Sequence, residues 1–274
     1  MSSVSKFAAL LLLGSATCVC QASASLRVCA DPNNMPWSNQ QQQGFENKLA
    51  AMIAGDLGMQ VSWVWYRQGE KFFRRTLNAG VCDVVMGVPT GFDEAATTRP
   101  YYRSTFAFVS RRDRHLHITS LDDPRLRTLR IGVHVLGDGD DSIPPVHALI
   151  DRGIVHNLVG YSIFGNLKET NPSADLIRAV ENRKVDVAVV WGPLAGYFAK
   201  NSPVPLELTP IASDPEHPEL PLAFDIGMGV REHDQELREK LDSELRQRRP
   251  EIRQLLASYG IPEEPAPSAT QGGN

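Results

Sequence analysis

Residues 79–89 read AGVCDVVMGVP, a tight connection followed by an aspartate and a buried strand. Residues 182–192 read NRKVDVAVVWG and follow the same order, from the end of a helix through a turn and an aspartate to an apolar strand. Each strand leads to a glycine and a proline, Gly87 and Pro89 in the first motif and Gly192 and Pro193 in the second. Passages from helix to strand often look alike by chance. The matched aspartates, Asp83 and Asp186, and the matched exits nevertheless favour two halves with a shared architecture.

The chain around the first motif alternates between strand and helix patterns. The predicted elements, in chain order, are a strand 26–30, a helix 45–57, a strand 61–66, a helix 72–78 and a strand 81–88. Phe45, Leu49 and Ile53 recur at helical spacing, and Gly58 suits the left-handed position that ends a helix. Strands that alternate with helices over short connections predict a parallel sheet layered by helices.

A second unit of the same kind is predicted after Arg114. Its elements are a strand 129–135, a strand 158–163, a helix from residue 171 and a strand 185–190. Asn171 and Pro172 suit the N-cap and the first position of that helix. A strand 224–230 and two helices through 237–245 and 252–259 follow, and Pro250 separates these two helices.

The N-terminal segment has the pattern of a cleaved export signal. Lys6 supplies a positive charge, and residues 7–13 form an apolar run too short to span a bilayer. Residues 22–24 read Ala-Ser-Ala, the small residues that signal peptidase requires. We expect residues 1–24 to be removed, which leaves a soluble exported chain. A lipid anchor on Cys18 is the alternative, although the residues before it only half match that motif.

Charge and composition exclude several function classes. The formal net charge is −4 and charges of both signs are mixed along the chain. The sequence therefore lacks the concentrated basic surface that nucleic-acid binding requires. The basic cluster 111–117 is interpreted as a solvated connection between the two units. Residues 263–274 are rich in Pro, Ala, Ser and Gly, which predicts a disordered tail.

Two cysteines remain after the signal segment, Cys29 and Cys82. An oxidising compartment favours a disulfide between them, and two buried thiols are the alternative. A metal site would need further ligands beside a cysteine, and none flank either one.

The common catalytic and metal-binding motifs are missing from the sequence. It has no phosphate loop, nucleophile elbow or His-Glu-x-x-His helix. His115 and His117 could share one side of a strand, but surface histidines are the better interpretation. The acidic turn 138–141 lacks the alternation of a calcium loop, so a solvated turn is favoured. The sequence therefore predicts no catalytic residue, no metal and no cofactor of its own.

Candidate binding residues lie where predicted strands end, the edge at which open α/β sheets place ligand sites. Four such loops are 31–37, 66–69, 89–93 and 191–196. Their candidate residues are Asp31, Asn33, Asn34, Trp37, Arg67, Thr90 and Trp191. Polar groups beside aromatic rings suit a small molecule or a loop of a partner. The alternative is that the tryptophans only pack the mouth of each unit and the polar residues only cap loops.

Several motifs resemble a known family. The Phe45-Glu46 helix opening, residues 82–87 (CDVVMG) and residues 100–109 resemble the type II periplasmic solute-binding proteins, which include the polar amino acid receptors. Residues 27–36 (RVCADPNNMP) together with 79–89 resemble one subgroup, the quinoprotein-dehydrogenase-associated binding proteins of the MoxJ and XoxJ type. The resemblance covers residues 26–262.

The resemblance implies an α/β fold of two lobes, each a mostly parallel sheet flanked by helices. The implied lobes are 25–111 with 223–262, and 112–222. It also implies a periplasmic location and a non-enzymatic role. The implied partner is a methanol or alcohol dehydrogenase that uses pyrroloquinoline quinone with calcium or a lanthanide, which this protein would bind or help to mature.

One departure from the amino acid receptors bears on function. Those receptors carry an arginine after the third strand, where its guanidinium holds the ligand carboxylate. The matching position lies near Gly91, and residues 89–94 contain no arginine but two carboxylates. Arg67 or Arg103 could substitute. Two alternatives stay open: a transporter-linked receptor for a small polar solute, and a dehydratase that uses Asp31 or Glu94 as acid or base.

Overall fold

A computed structural model describes residues 24–135, 143–163, 171–211 and 213–262. The predicted signal segment up to residue 23, the acidic turn 138–141 and the predicted tail 263–274 lie outside the described residues.

Strands and helices alternate along much of the chain. The strands are β1 Ser25–Ala30, β2 Asn33–Asn34, β3 Ser38–Asn39, β4 Gln60–Trp65, β5 Val84–Pro89, β6 Ala96–Thr97, β7 Tyr102–Arg111, β8 Ile131–Val135, β9 Leu158–Ser162, β10 Val187–Trp191, β11 Leu206–Pro210 and β12 Ala223–Val230. The helices are α1 Phe45–Asp56, α2 Phe72–Arg75, α3 Pro144–Asp151, α4 Asp175–Glu181, α5 Gly192–Lys200, α6 Gln235–Gln247 and α7 Arg249–Ser258.

The first lobe has a parallel sheet in which β1 lies between β4 and β5. Leu26 pairs with Val61, and Val28 pairs with Val84. Helices α1, α6 and α7 bury their apolar faces in one core with this sheet. Gly58 follows α1 with a φ of 68° and ends it as predicted.

The second lobe repeats this arrangement, with β8 parallel to both β9 and β10. Ile131 is fully buried and pairs with Val187 on one side and Leu158 on the other. Apolar residues of α3 pack in one core against this sheet, and those of α4 and α5 in another. The prediction of an α/β fold with two mostly parallel, helix-flanked sheets is confirmed.

Two antiparallel strands, β7 and β12, connect the lobes. Tyr102 to Thr105 pair with β12, and Phe106 to Ser110 pair with β10. The sheet order is therefore β4-β1-β5-β12-β7-β10-β8-β9. Because β7 crosses between Thr105 and Phe106, the predicted boundary after residue 111 lies beyond the crossing.

The basic segment 111–117 does not connect the lobes and belongs to the second one. Arg114 forms an ion pair with Asp186 at 2.9 Å. His115 and His117 do not lie on a strand, because both have left-handed backbone conformations after a short 3₁₀ helix. Nδ1 of His117 lies 2.6 Å from Glu207 Oε1.

The repeated motif places the same ion pair in each lobe. The backbone N and Nε of Arg27 each donate to Asp83 Oδ2 at 3.0 Å. In the second lobe Arg130 donates from the same two nitrogens to Asp186 at 3.0 and 3.1 Å. Each pair spans 56 residues. The aspartate ties the first strand of its lobe to the turn before a later parallel strand.

The connection predicted after Trp191 is wrong, because α5 begins at Gly192 immediately after β10. A Cβ on Gly192 would lie 2.6 Å from Thr105 O, and one on Gly196 would lie 2.0 Å from Gly260 O. These glycines therefore allow α5 to pack against backbone, and 191–196 is a strand end and a helix start instead of a loop.

Other element boundaries differ by a few residues. Asn171 has a left-handed φ of 51° and makes no side-chain cap; it precedes a 3₁₀ turn, and α4 begins only at Asp175. Strand β5 begins at Val84 instead of Val81, because the preceding residues form the turn that meets Arg27. Helix α2 ends at Arg75, three residues before its predicted end.

The disulfide between Cys29 and Cys82 is present, with an S–S distance of 2.06 Å, so the prediction of this bond is confirmed. Both cysteines are buried in a small cluster with Phe72, Leu77 and Val85. The bond holds β1 to the segment that leads into β5. Among the described residues, no helix has the length and apolar character needed to span a membrane.

Candidate functional site

A cavity of about 300 Å³ lies between the lobes. Its lining residues come from the carboxyl ends of the parallel strands, from the connecting strands and from the start of α1: Asn34, Trp37, Glu46, Gln68, Gly87, Pro89, Tyr102, Phe106, His134, Ile143, Ile163, Trp191, Phe224 and Ile226. Ligand sites in open α/β sheets lie at this edge, and a volume of this size is at the lower end of the range for ligand pockets, about 300–1,000 Å³.

The loop after β1 brings Asn34 and Trp37 to the cavity. Asp31 supports this loop, because its carboxylate accepts the backbone N–H of Asn33 at 2.8 Å and that of Gln68 at 2.7 Å. Burial raises the pKa of Asp31, and these two hydrogen bonds oppose the shift. The Nδ2 of Asn34 donates to Gln68 Oε1 at 2.8 Å, which joins the loops after β1 and β4.

The same loop reaches the second lobe. The backbone N–H of Asn171 donates to Asn33 Oδ1 at 3.2 Å, across 138 residues of sequence. Asn33 is therefore placed at a contact between the lobes, and it does not line the cavity.

Aromatic rings from both lobes form much of the wall. Trp191 meets Phe106 at 5.1 Å between ring centroids and Phe224 at 5.8 Å, both edge to face. The buried Tyr102 on β7 lines the cavity together with Trp37 from the first lobe and Trp191 from the second.

Glu46 is a cavity residue that sequence reasoning did not single out as a site residue. It lies in the first turn of α1, it is only 7% exposed, and Tyr101 Oη donates to its Oε1 at 3.1 Å. Burial raises its pKa from 4.5 to about 8. A signal was present, because Ala50 and Ile53 lie on the same helical face as Glu46, and both are buried.

His134 faces the cavity from the end of β8 in the second lobe. Its Nε2 lies 3.3 Å from the carbonyl oxygen of Ser173. Burial lowers its pKa from 6.5 to about 4, so the imidazole is neutral at neutral pH. With Glu46 protonated and His134 neutral, the described lining of the cavity carries no formal charge at neutral pH.

Four predicted residues do not belong to the lining set of the cavity: Asp31, Asn33, Arg67 and Thr90. Of these, Arg67 and Thr90 are exposed. Arg103 forms an ion pair with Asp225 at 2.9 Å. The described lining contains no arginine or lysine, and Gly91 lies in an exposed turn with a φ of 81°. That any of the predicted residues contacts a ligand or a partner stays a prediction.

Comparison with known proteins identifies the family. The sequence profile of the bacterial extracellular solute-binding proteins, family 3, matches residues 26–260. The chain belongs to this family. Family 3 membership agrees with the two lobes, the connecting strands and the cavity between them.

Three individual relatives resemble this chain over most of its length. The protein MoxJ of Methylorubrum extorquens is 30% identical over 252 residues, which cover 88% of this chain and 82% of MoxJ. The MoxJ of Paracoccus denitrificans is 28% identical over 246 residues, which cover 88% of this chain and 89% of the relative. The crystal structure of the periplasmic binding protein XoxJ from Methylobacterium extorquens superposes with a TM-score of 0.72 at 33% identity, over 88% of this chain and all of XoxJ.

Proposed function

We propose that this chain is a periplasmic, non-enzymatic binding protein that contacts a quinoprotein methanol dehydrogenase and helps it to mature or become active. Its similarity to MoxJ and XoxJ supports this role, as do the two motifs that contain its cysteines. Pyrroloquinoline quinone and the calcium or lanthanide ion would belong to the dehydrogenase. The first 24 residues would direct export and be removed.

The observation that carries the proposal is the cavity lining. An amino acid receptor must pair the ligand carboxylate with a cation, because a buried carboxylate without one is costly. The described lining offers Glu46 and no guanidinium or ammonium group. A carboxylate ligand would therefore be buried without a compensating cation among the described lining residues, which argues against capture of an amino acid for a transporter.

The fold has two connected lobes, and a bound partner could favour one arrangement of these lobes over another. The lobes are connected by β7 and β12, and they also meet where Asn33 accepts from Asn171. A partner that binds the rim of the cleft in one arrangement of the lobes would favour that arrangement. We propose that Asp31, Asn33, Asn34, Trp37, Arg67, Thr90 and Trp191 form this rim.

Two measurements test the proposal. Affinity purification of the tagged chain from its native periplasm should retrieve the dehydrogenase, and deletion of the gene should leave that enzyme inactive until the chain is supplied again. As a control, the tagged chain with Glu239→Gln on the exposed face of α6 should retrieve the same amount of dehydrogenase as the wild-type chain. Unchanged dehydrogenase activity after deletion, with strong thermal stabilisation by one polar solute, would instead establish a conventional transport receptor.

A further inference from the structure

The aromatic rings around the cavity are arranged as a corner. Trp191 meets Phe106 at an interplanar angle of 65° and Phe224 at 67°. In an edge-to-face contact the edge of one ring covers one face of the other, so the remaining ring faces stay available to a guest. Trp37 and Tyr102 line the same cavity from the first lobe and β7. A cavity lined by several aromatic rings suits a cation, because the faces of such rings attract positive charge.

Glu46 supplies an acid to the same volume. Its hydrogen bond from Tyr101 is one neutral contact, and no charged group contributes to its pKa shift. A carboxyl group buried among apolar residues is costly unless a partner compensates it. Gly87 allows the Glu46 carboxyl group to approach the backbone of β5 closely, since a Cβ at that position would lie 2.3 Å from Glu46 Oε1.

We propose that the cavity binds a small organic ammonium ion, with its alkyl groups against the aromatic rings and its charge compensated by Glu46. The ligand class follows from what the lining provides: several aromatic rings, one acid, and no lysine or arginine among the described lining residues. Amino acids and betaines are poor ligands, because their carboxylate finds no cationic partner among the lining residues that the structure describes. The ammonium group belongs to a free small molecule or to a lysine side chain of a partner.

The titratable groups around Glu46 determine how binding depends on pH. Tyr101, directly before β7, and Tyr102, its first residue, face Glu46, and His134 lines the cavity from β8. Both tyrosines have raised pKa values, and His134 is neutral above pH 5. Glu46 is then the group that changes charge near pH 8. A cation favours its ionised form, so affinity should rise by up to about tenfold per pH unit from pH 6 to 8, with release of a proton.

Calorimetric titration with three probes of similar shape tests the ligand class. Choline should bind; its neutral isostere 3,3-dimethylbutan-1-ol and the zwitterion glycine betaine should each bind at least about tenfold more weakly. Equal affinity for choline and the neutral isostere, or no binding of choline at pH 8, would refute the proposal.

Two variants assign the effect to residues. Glu46→Gln should lower choline affinity at pH 8 at least tenfold and remove its pH dependence, while Glu239→Gln should keep both. Trp191→Leu should weaken choline more than 3,3-dimethylbutan-1-ol. If Glu46→Gln binds choline as the wild type does, the acid does not recognise the cation and the proposal is wrong.

A competition experiment distinguishes the two sources. If saturating choline releases a co-purified dehydrogenase, the ammonium group comes from the partner; if the complex persists with choline bound, the ligand is a free molecule. The titration needs no dehydrogenase. Failure of the proposed partnership would therefore leave the choline result intact, and failure of choline binding would leave the partnership open to its own test.

Discussion

Tyr101 and Glu46 form a buried hydrogen bond of 3.1 Å that links the residue before β7 to the first turn of α1. The hydroxyl of Tyr101 also lies 3.3 Å from the carbonyl oxygen of Met86. A phenol has one hydrogen and cannot donate fully to both acceptors. Tyr101 therefore compensates an ionised Glu46 only in part, and burial raises the pKa of Glu46 to about 8.

This pair should make stability fall as the pH rises. The folded pKa of Glu46, about 8, exceeds its unfolded value of 4.5, so the native state retains a proton that the unfolded state releases. The contribution is complete below pH 4.5 and is lost as the pH rises through 8. Glu46→Gln should therefore gain stability relative to wild type by about 1 kcal/mol per pH unit between pH 5 and 8, measured by urea denaturation. A stability difference between Glu46→Gln and wild type that does not change with pH would contradict this assignment. The control Glu239→Gln should show no pH-dependent difference from wild type.

Loss of the disulfide should destabilise the native chain strongly. Cys29 and Cys82 are 53 residues apart, and the chain-entropy relation for a loop of this length gives about 4 kcal/mol. The paired substitution Cys29→Ala and Cys82→Ala should lower the free energy of unfolding by this order. Titration of free thiols in the native oxidised protein provides the control, since it should detect none at these positions. A loss below about 1 kcal/mol would mean that packing alone holds β1 to β5.

The equivalent aspartates should respond alike to substitution. Asp83 and Asp186 each accept a backbone N–H and an arginine Nε, so Asp83→Asn and Asp186→Asn should each cost about 2 kcal/mol in chemical denaturation. Asp113 is half exposed and pairs with Arg111 and Arg183, and Asp113→Asn should have little effect. A large loss for one of the two equivalent aspartates and none for the other would show that the lobes differ at this position.

Two glycine substitutions separate packing from helix propensity. A Cβ on Gly196 in α5 would lie 2.0 Å from the backbone oxygen of Gly260, so Gly196→Ala should lower the melting temperature by several degrees. Gly55 in α1 has nothing within 4 Å of its added Cβ, and Gly55→Ala should raise stability by about 0.5–1 kcal/mol. If both substitutions stabilise, α5 can move away from the C-terminal segment at little cost.

The disulfide and the paired aspartates show how much the sequence predicts. Cys29 and Cys82 could be paired from their number and from the expected compartment, before any geometry was known. Asp83 and Asp186 could be matched because the same short pattern surrounds both. The loops 31–37 and 66–69 were both predicted to lie at the ligand-binding edge of the sheet, and the hydrogen bond between Asn34 and Gln68 joins them.

Local patterns did not reveal Glu46, the start of α5 or the crossing of β7. Glu46 meets Tyr101 across 55 residues, and its burial depends on how α1 packs against β5 and β7. Helix α5 begins directly after Trp191 because Gly192 and Gly196 allow close approach to distant backbone atoms. Strand β7 reads YRSTFAFVSR, and it contains no glycine or proline that would mark the crossing between Thr105 and Phe106.

The sequence by itself determined the alternation of strands and helices, the two similar lobes and the disulfide, because periodicity, turn residues and cysteine number are local or compositional properties. The tertiary structure decided which side chains share the cavity and how they ionise. Trp37, Glu46 and Trp191 lie far apart in the chain, and the pKa of a buried acid depends on the water and charge that its folded surroundings exclude or supply.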